Sequence, residues 1–333
     1  MILIFLLSIN WDILIYSFES NGGIKMSLNA KIVNALKFLY DKNYRWLYLA
    51  SRGKYNNLDD ETFLRKSFEC KMGRKLNLDN PQTLNEKLQW LKLYNRKPEY
   101  TIMVDKFLVK KYVANIIGEE YIIPTLGVWD DPDDIDFDKL PNQFVLKCNH
   151  NSGTGMCICG DKSKLNVNYV KNELRKGLKQ DYYLTEREWP YKNVKRKIIC
   201  EKFLRNNDLT PIVDYKFYCY GGKPIYFMYS IGEASHNVKN HKFDMNLKSI
   251  DYLFKRKPTL QLNEIILPYN INKMIKLVEV LSKGLPHIRI DLYNVNGHIF
   301  FGEFTFYSGG GYINIFSKEY SNYLSSLIKT SKK

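Results

Sequence analysis

Residues 287–312 read HIRIDLYNVNGHIFFGEFTFYSGGGY. Two alternating runs flank Asn296-Gly297, a dipeptide suited to a tight hairpin because both positions tolerate positive φ. Strand alternation puts Arg289 and Asp291 on one face. The hairpin then brings Asp291 beside Glu303. Two carboxylates so close repel unless a positive charge lies between them. Mg²⁺ suits that place, since it takes oxygen ligands and bridges nucleotide phosphates. Arg289, on the same face, would hold a transferred phosphoryl group or a developing oxyanion. The plain alternative is a cross-strand salt bridge of Arg289 with a carboxylate.

Three other segments carry chemistry of the same kind. The run Phe144-Val145-Leu146-Lys147-Cys148 reads as a strand leading into Ser152-Gly153-Thr154-Gly155. A loop of small residues lets backbone N–H groups approach phosphate oxygens, and Lys147 adds a fixed charge beside them. The loop lacks the Gly-Lys-Ser/Thr ending of a Walker motif, and a bare hairpin turn is its bland reading. Asp105-Lys106 stands at the head of a helix, where a lone lysine is usually solvated. Glu201-Lys202-Phe203-Leu204 follows an apolar strand. A strand end there can offer its backbone to an adenine edge and Glu201 to the exocyclic amine, or it can be an ordinary charged strand end.

The rest of the chain alternates hairpins with helices. Residues 27–94 are helical in pattern, with Asn80-Pro81-Gln82-Thr83 opening a helix whose apolar side is Leu84, Leu88, Leu91 and Leu93. A second helix runs over 103–117 and stops at Gly118. Tyr121-Ile122-Ile123-Pro124 reads as a short strand, and residues 167–179 as an amphipathic helix. Strands over 215–220 and 224–230 turn at Gly221-Gly222, and residues 271–282 form a further helix. The class is α+β, antiparallel sheets packed with helices. The organisation is a leader or extended gene model over 1–25, a helical region over 26–100, and subdomains over 101–204 and 205–333.

Composition sets outer bounds. The chain has 333 residues, 45% apolar and 26% charged, ordinary for a globular protein. Lys and Arg outnumber Asp and Glu by 50 to 35, a formal charge of +15 that favours anionic partners. No repeated basic and aromatic motif points to nucleic acid. Cys70, Cys148, Cys157, Cys159, Cys200 and Cys219 read as buried free thiols of a reducing cytosol. A zinc site from Cys148, His150, Cys157 and Cys159 is the weaker reading, because the spacing matches no usual ligand pair. The apolar start MILIFLLSINWDILIY lacks a basic flank and is interrupted by Asp12. It fits neither a signal peptide nor a spanning helix. It reads as an extended gene model with Met26 as the start, or else as a membrane-surface anchor.

In this order the segments resemble ATP-grasp enzymes over residues 100–312. Three phrases resemble the TupA-like (teichuronopeptide biosynthesis) branch more closely: residues 144–153; Asp214-Tyr215-Lys216-Phe217 with Gly222-Lys223-Pro224; and residues 289–312. The resemblance implies an ATP-grasp fold, two α/β subdomains whose antiparallel sheets clasp ATP, preceded by the helical N-terminal region. It implies ATP and Mg²⁺ as cofactors. Lys106 and Lys147 would contact the α- and β-phosphates, with Ser152, Gly153 and Thr154 as the lid. Glu201 would accept from the adenine amine, and the backbone of Lys202, Phe203 and Leu204 would read the ring edge. Lys216 would approach the γ-phosphate. Asp291 and Glu303 would bind Mg²⁺, with Thr305 where the family usually has Asn, and Arg289 would stabilise the acyl-transfer oxyanion. Ser308-Gly309-Gly310-Gly311 lies where related ligases bind the substrate carboxylate.

The implied activity is a carboxylate–amine ligase working through an acylphosphate in cell-surface polysaccharide synthesis. It would join an amino acid or peptide amine to an acidic glycan or its precursor, in the cytoplasm and at the inner membrane face. The main rival is a glycosyltransferase holding a sugar nucleotide through an Asp-x-Asp motif. Asp131-x-Asp133, Asp134-x-Asp136 and Asp136-x-Asp138 offer one, but they sit in a polar loop and read as solvated caps. A kinase that stops after phosphoryl transfer and a non-catalytic binder complete the alternatives.

Overall fold

The computed structural model describes residues 28–232 and 237–330; the leader reading of residues 1–25 lies outside them. The chain divides into two compact units, Met1–Arg52 and Gly53–Lys333. In the first, helices α1 (Leu28–Tyr40) and α2 (Lys42–Ser51) follow each other, and Asp41 caps α2 by accepting from the N–H groups of Asn43 and Tyr44.

The second unit opens with helices α3 (Asp60–Met72) and α4 (Leu84–Tyr94). Thr83 and Glu86 form a capping box at the head of α4, so the Asn-Pro-Gln-Thr phrase does start a helix. The single helix expected over 103–117 is instead two, α5 (Pro98–Val104) and α6 (Leu108–Ile117). The break has a cause: the Asp105 carboxylate accepts from the N–H groups of Phe107 and Leu108, and the Lys106 N–H turns away to Asn149 O. The strand expected at residues 121–124 does not form; β1 (Thr125–Trp129) begins only after it, past a proline that has no N–H to give.

Strands β2 (Phe144–Cys148), β3 (Met156–Cys159) and β4 (Ile198–Lys202) join β1 in an antiparallel sheet of order β1-β4-β2-β3. Its core gathers Phe144, Leu146, Ile198 and Cys200 with Val170 and Leu174 of helix α7 (Val167–Lys179). The Asp-rich loop before β2 belongs to turns: Asp131 and Asp136 cap short 3₁₀ segments, and Asp133 pairs with Lys171 and Arg175.

After the short helix α8 (Tyr183–Glu186), a second antiparallel sheet has order β7-β6-β5-β8-β9. Its strands are β5 (Asp214–Tyr220), β6 (Lys223–Ile231), β7 (Lys239–Asp244), β8 (His287–Val295) and β9 (His298–Thr305). Helix α9 (Ile271–Ser282) packs on β6 and β8 through buried Met274 and Val278, and α10 (Lys318–Ser326) follows β9. A parallel bridge from Ile122 to Phe301 ties the segment before β1 to β9. Among the described residues no helix is long and apolar enough to cross a membrane.

One close approach positions the small-residue loop. A Cβ on Gly177 of α7 would lie 2.7 Å from both Gly155 Cα and Cys148 Sγ. Glycine in a helix interior costs about 1 kcal/mol against alanine; here it lets the helix lie against the base of the loop. Gly177→Ala is therefore expected to destabilise the protein by roughly 1–2 kcal/mol, overpacking outweighing the gain in helix propensity. Urea denaturation checks this, and an unchanged or higher midpoint would show that the contact does not constrain the loop.

Candidate active site

The β8–β9 hairpin forms with Asp291 opposite Glu303 in register and a bulge immediately after Asp291. Ile288, Ile290 and Leu292 are fully buried beneath the sheet. Alternation therefore turns Arg289 and Asp291 to the other face. Arg289 Nε lies 2.7 Å from Asp291 Oδ1, and its Nη2 lies 2.7 Å from both Asp291 Oδ2 and Glu303 Oε1. The cation between the carboxylates is thus this guanidinium, which makes the cross-strand bridge to both partners. Thr305 Oγ1 donates to Glu303 Oε1 at 3.2 Å.

β5 adds a second ion pair from the other side. Lys216 stands opposite Asp291, at 3.3 Å from its Oδ2, and also pairs with Asp214. Asp214 had no role assigned from the sequence, although its place two residues before Lys216 puts it on the same strand face. Burial and the neighbouring Asp291 carry its carboxyl up to about 7, against the pull of Lys216 and Arg289. Among the described residues Asp214 Oδ1 is buried without a hydrogen-bond partner.

The four-stranded sheet contributes a complementary arrangement. Glu201 on β4 is buried, and its two oxygens are taken by Lys110 Nζ at 2.7 Å and Lys147 Nζ at 2.6 Å. Burial would raise the Glu201 carboxyl, but the two lysines outweigh it and hold it below its usual value. Lys110, on α6, was not anticipated. Lys202 reaches solvent, and its N–H donates to Pro124 O at 3.0 Å. Beyond it Phe203 and Leu204 are half-buried, and their backbone groups take no hydrogen bond among the described residues. Ser152 and Gly153 lie at an exposed loop tip beside half-buried Thr154, and Lys106 donates its ammonium to Asn151 O.

The two sheets share one electrostatic field. Burial would raise the Glu303 carboxyl, but Arg289, Lys106, Lys216 and Lys147 together hold it below its usual value. Burial lowers the Lys106 ammonium, and Glu303 and Glu201 oppose that shift. Charges predicted from separate segments thus converge. Tyr191 joins them without a sequence signal: burial first, then Tyr182, Glu188 and Glu303, push its hydroxyl well above the usual value.

The residues fit a nucleotide with a divalent cation. Asp214, Asp291 and Glu303 put three carboxylates around two cations, Arg289 and Lys216. Among the described residues Glu303 Oε2 accepts no hydrogen bond and Asp214 Oδ1 has no hydrogen-bond partner. Mg²⁺ takes oxygen ligands of this kind, usually one or two carboxylates together with phosphate oxygens. The unpaired backbone at Phe203 and Leu204 fits the edge of a base. Zinc does not fit: among the described residues no three His, Cys, Asp or Glu side chains are arranged to hold an ion as they stand, Cys148, His150, Cys157 and Cys159 included, and Asp214, Asp291 and Glu303 are bridged by Lys216 and Arg289 instead. His150 Nε2 is instead 3.0 Å from Gln180 O, and burial pushes the Cys148 and Cys157 thiols up to about 11.

A family model described as TupA-like ATPgrasp matches residues 86–329. No curated protein matches. Among solved structures the chain is similar to D-alanine–D-alanine ligase from Bacillus anthracis complexed with ATP. That likeness has 16% identity over 61% of this chain and 53% of the other, with a TM-score of 0.36. It is also similar to D-alanine–D-alanine ligase from Helicobacter pylori, at 13% identity over 74% of this chain and 69% of the other, TM-score 0.42. The ATP-grasp ligase PsnB, complexed with minimal precursor, Mg and ADP, gives 11% identity over 77% and 65%, TM-score 0.35. The chain thus spans about half of the Bacillus anthracis ligase.

The raised Asp214 carboxyl has a consequence for stability. Between 3.8 and about 7 the folded chain keeps a proton that the unfolded chain releases. This group's contribution is full below the lower value and is lost as the pH rises through the upper one. Asp214→Asn should therefore stabilise the protein relative to wild type near pH 8 more than near pH 4. Urea titrations at both pH values decide it; equal differences at the two would refute the assignment.

Proposed function

The chain belongs to the TupA-like ATP-grasp family and shares its α+β fold, and from that premise we propose that it is an ATP-dependent carboxylate–amine ligase. The proposed acceptor is an acidic glycan or its precursor, the incoming group an amino acid or peptide amine, and the place the cytoplasm at the inner membrane face. The observation that carries the reading is the convergence on Glu303 of Lys106 and Lys147, from the four-stranded-sheet side, with Arg289 and Lys216 of the other sheet.

Bound MgATP supplies the γ-phosphoryl group that activates the carboxylate. The chain's own residues bind, orient and neutralise. Phe203 and Leu204 offer unpaired backbone groups to the adenine edge. Glu201 acts through its lysines, holding Lys147 and Lys110 in place before any nucleotide arrives, and its buried carboxylate is already occupied by them. Lys106 and Lys147 would hold the α- and β-phosphates, with the loop of Ser152, Gly153 and Thr154 as the lid. Asp291 and Glu303 are the metal ligands, with Thr305 beside them. Lys216 and Arg289 remain next to the transferred group, where fixed cations stabilise developing negative charge most effectively. Catalysis here is positioning and charge neutralisation, which needs no protein nucleophile.

Asp291→Asn and Glu303→Gln are expected to abolish MgATP-dependent phosphate release with the fold intact by circular dichroism. Lys147→Ala should raise the KM for ATP about tenfold or more, as loss of a charged contact predicts. Full turnover in both carboxylate variants would overturn the metal assignment. A melting shift with a UDP- or GDP-sugar but none with MgATP would favour the glycosyltransferase.

A further inference from the structure

Helix α4 carries a polar stripe on a face that ought to be apolar. Asn85, Gln89 and Lys92 are spaced to fall on one side of the helix, and all three are buried, Gln89 and Lys92 with no exposure at all. Each reaches the backbone of one distant segment. Asn85 Nδ2 donates to Ile313 O at 2.8 Å, and its Oδ1 accepts from Ile313 N–H at 2.8 Å. Gln89 Nε2 donates to Gly310 O and Gly311 O at 3.2 and 3.0 Å. Lys92 Nζ donates to Gly310 O and to Glu186 O, both at 2.7 Å. The Tyr312 and Tyr307 rings lie 5.2 and 5.6 Å from the ammonium. Burying an ammonium without a carboxylate on it is costly, so the arrangement calls for a purpose.

The segment so held is the turn Ser308–Gly311, in which Gly309, Gly310 and Gly311 take φ of 57°, 61° and 76°. Its two sides differ. A Cβ on Gly311 would meet Gln89 Nε2 at 2.7 Å, and one on Gly310 would meet Glu186 Cγ at 3.0 Å. Around Gly309 nothing lies within 4 Å of the corresponding position. The turn is seated on α4 by its carbonyls, lies against the Glu186 side chain of α8 and is open at Gly309. At its head, Ser308 Oγ is buried with no hydrogen-bond partner among the described residues.

We propose that Lys92, with Gln89 and Asn85, positions the acceptor end of the site: the stripe seats the turn by its carbonyls and so presents Gly309 and the Ser308 hydroxyl to the substrate carboxylate. The role of the turn rests on the ligase reading; the seating of the turn by α4 does not. Lys92 also bonds the carbonyl of Glu186, at the end of α8 and five residues before Tyr191, so one cation ties the turn to the segment that brings Tyr191 toward Glu303.

The charges facing Lys92 are Glu186 at the end of α8 and Glu188 just after it, Lys71 and Asp60 of α3, and Arg96, whose Nε donates to Lys92 O. Burial lowers the ammonium to about 8, with Glu186, Glu188 and Asp60 opposing and Lys71 adding. Above that value the folded chain loses a proton that the unfolded chain keeps up to 10.5. The group's effect on global stability therefore rises with pH over that window, while its two bonds to the carbonyls lose their charge assistance. Any loosening of the turn past that pH is consequently local.

Amide hydrogen exchange on the full chain tests the proposal. Lys92→Met fills the same volume but has no donor. It should lower the protection of residues 309–313 about ten- to a hundredfold and leave β8 and β9 unchanged. In wild type, protection of that segment, corrected for intrinsic exchange, should fall as the pH passes about 8, and the variant should show no such step. Wild-type protection in Lys92→Met would overturn the proposal; a Met variant behaving as a packing plug would give that result. Should Lys92→Met not fold, the wild-type pH profile decides, and a flat profile overturns it. The melting shift with MgATP, measured on the same wild-type sample, reports on the ligase reading separately.

Discussion

Asp291 is buried and lies opposite another carboxylate, a pair that needs a cation between them, and Arg289 reaches it with two nitrogens and Glu303 with one of the same two. That requirement governs the second sheet. The guanidinium comes from two residues upstream, so β8 must be a strand for the two side chains to share a face. The opposite face must be covered, which Ile288, Ile290 and Leu292 achieve together with α9. Lys216 then enters from β5 on the other side of Asp291. A hydrophobic underside and a charged upper face are two consequences of one alternation.

The four-stranded sheet solves the converse problem. Two lysines, Lys147 and Lys110, are brought together around the buried carboxylate of Glu201. A buried anion with two cations fixes their ammonium groups in advance, and that is the condition under which fixed charges act most strongly on a ligand. One sheet thus has carboxylates in excess of cations and the other cations in excess of carboxylates. A metal-bound polyphosphate carries charge of both signs, which matches this division better than a plain anion would.

The hairpins were legible because their signals are local: Asn296-Gly297, Gly221-Gly222 and the strand alternation on either side need no knowledge of the rest of the chain. The helix start at Asn80-Pro81-Gln82-Thr83 was legible for the same reason. Local pattern failed at Asp105, where an apolar helical period runs on but a side chain competes for the N–H groups of Phe107 and Leu108. It failed also at β1 and β7, whose edge positions carry no strong period. In the site, residues paired across a hairpin could be foreseen, as Asp291 with Glu303. Lys110, Tyr191 and the stripe on α4 could not. Each meets its partner across a long stretch of chain, and on a helix Lys92 looks like any solvent-facing lysine until its surroundings are known.

The formal charge of +15 has to be kept apart from the charge at the site. Lys110, Lys147, Lys216 and Arg289 each lie against a carboxylate. Lys106 and Lys92 spend their ammonium groups on backbone carbonyls. The surplus is therefore carried mostly by side chains away from these networks. Exposed charges act at range and fade beyond a Debye length of about 8 Å at physiological salt, whereas the buried pairs are screened far less. On the proposed reading, an acidic polymer drawn to the surface and a nucleotide between the sheets would thus be held by physically different forces. Salt should weaken the first well before the second, because only the first depends on charges that water and ions can reach.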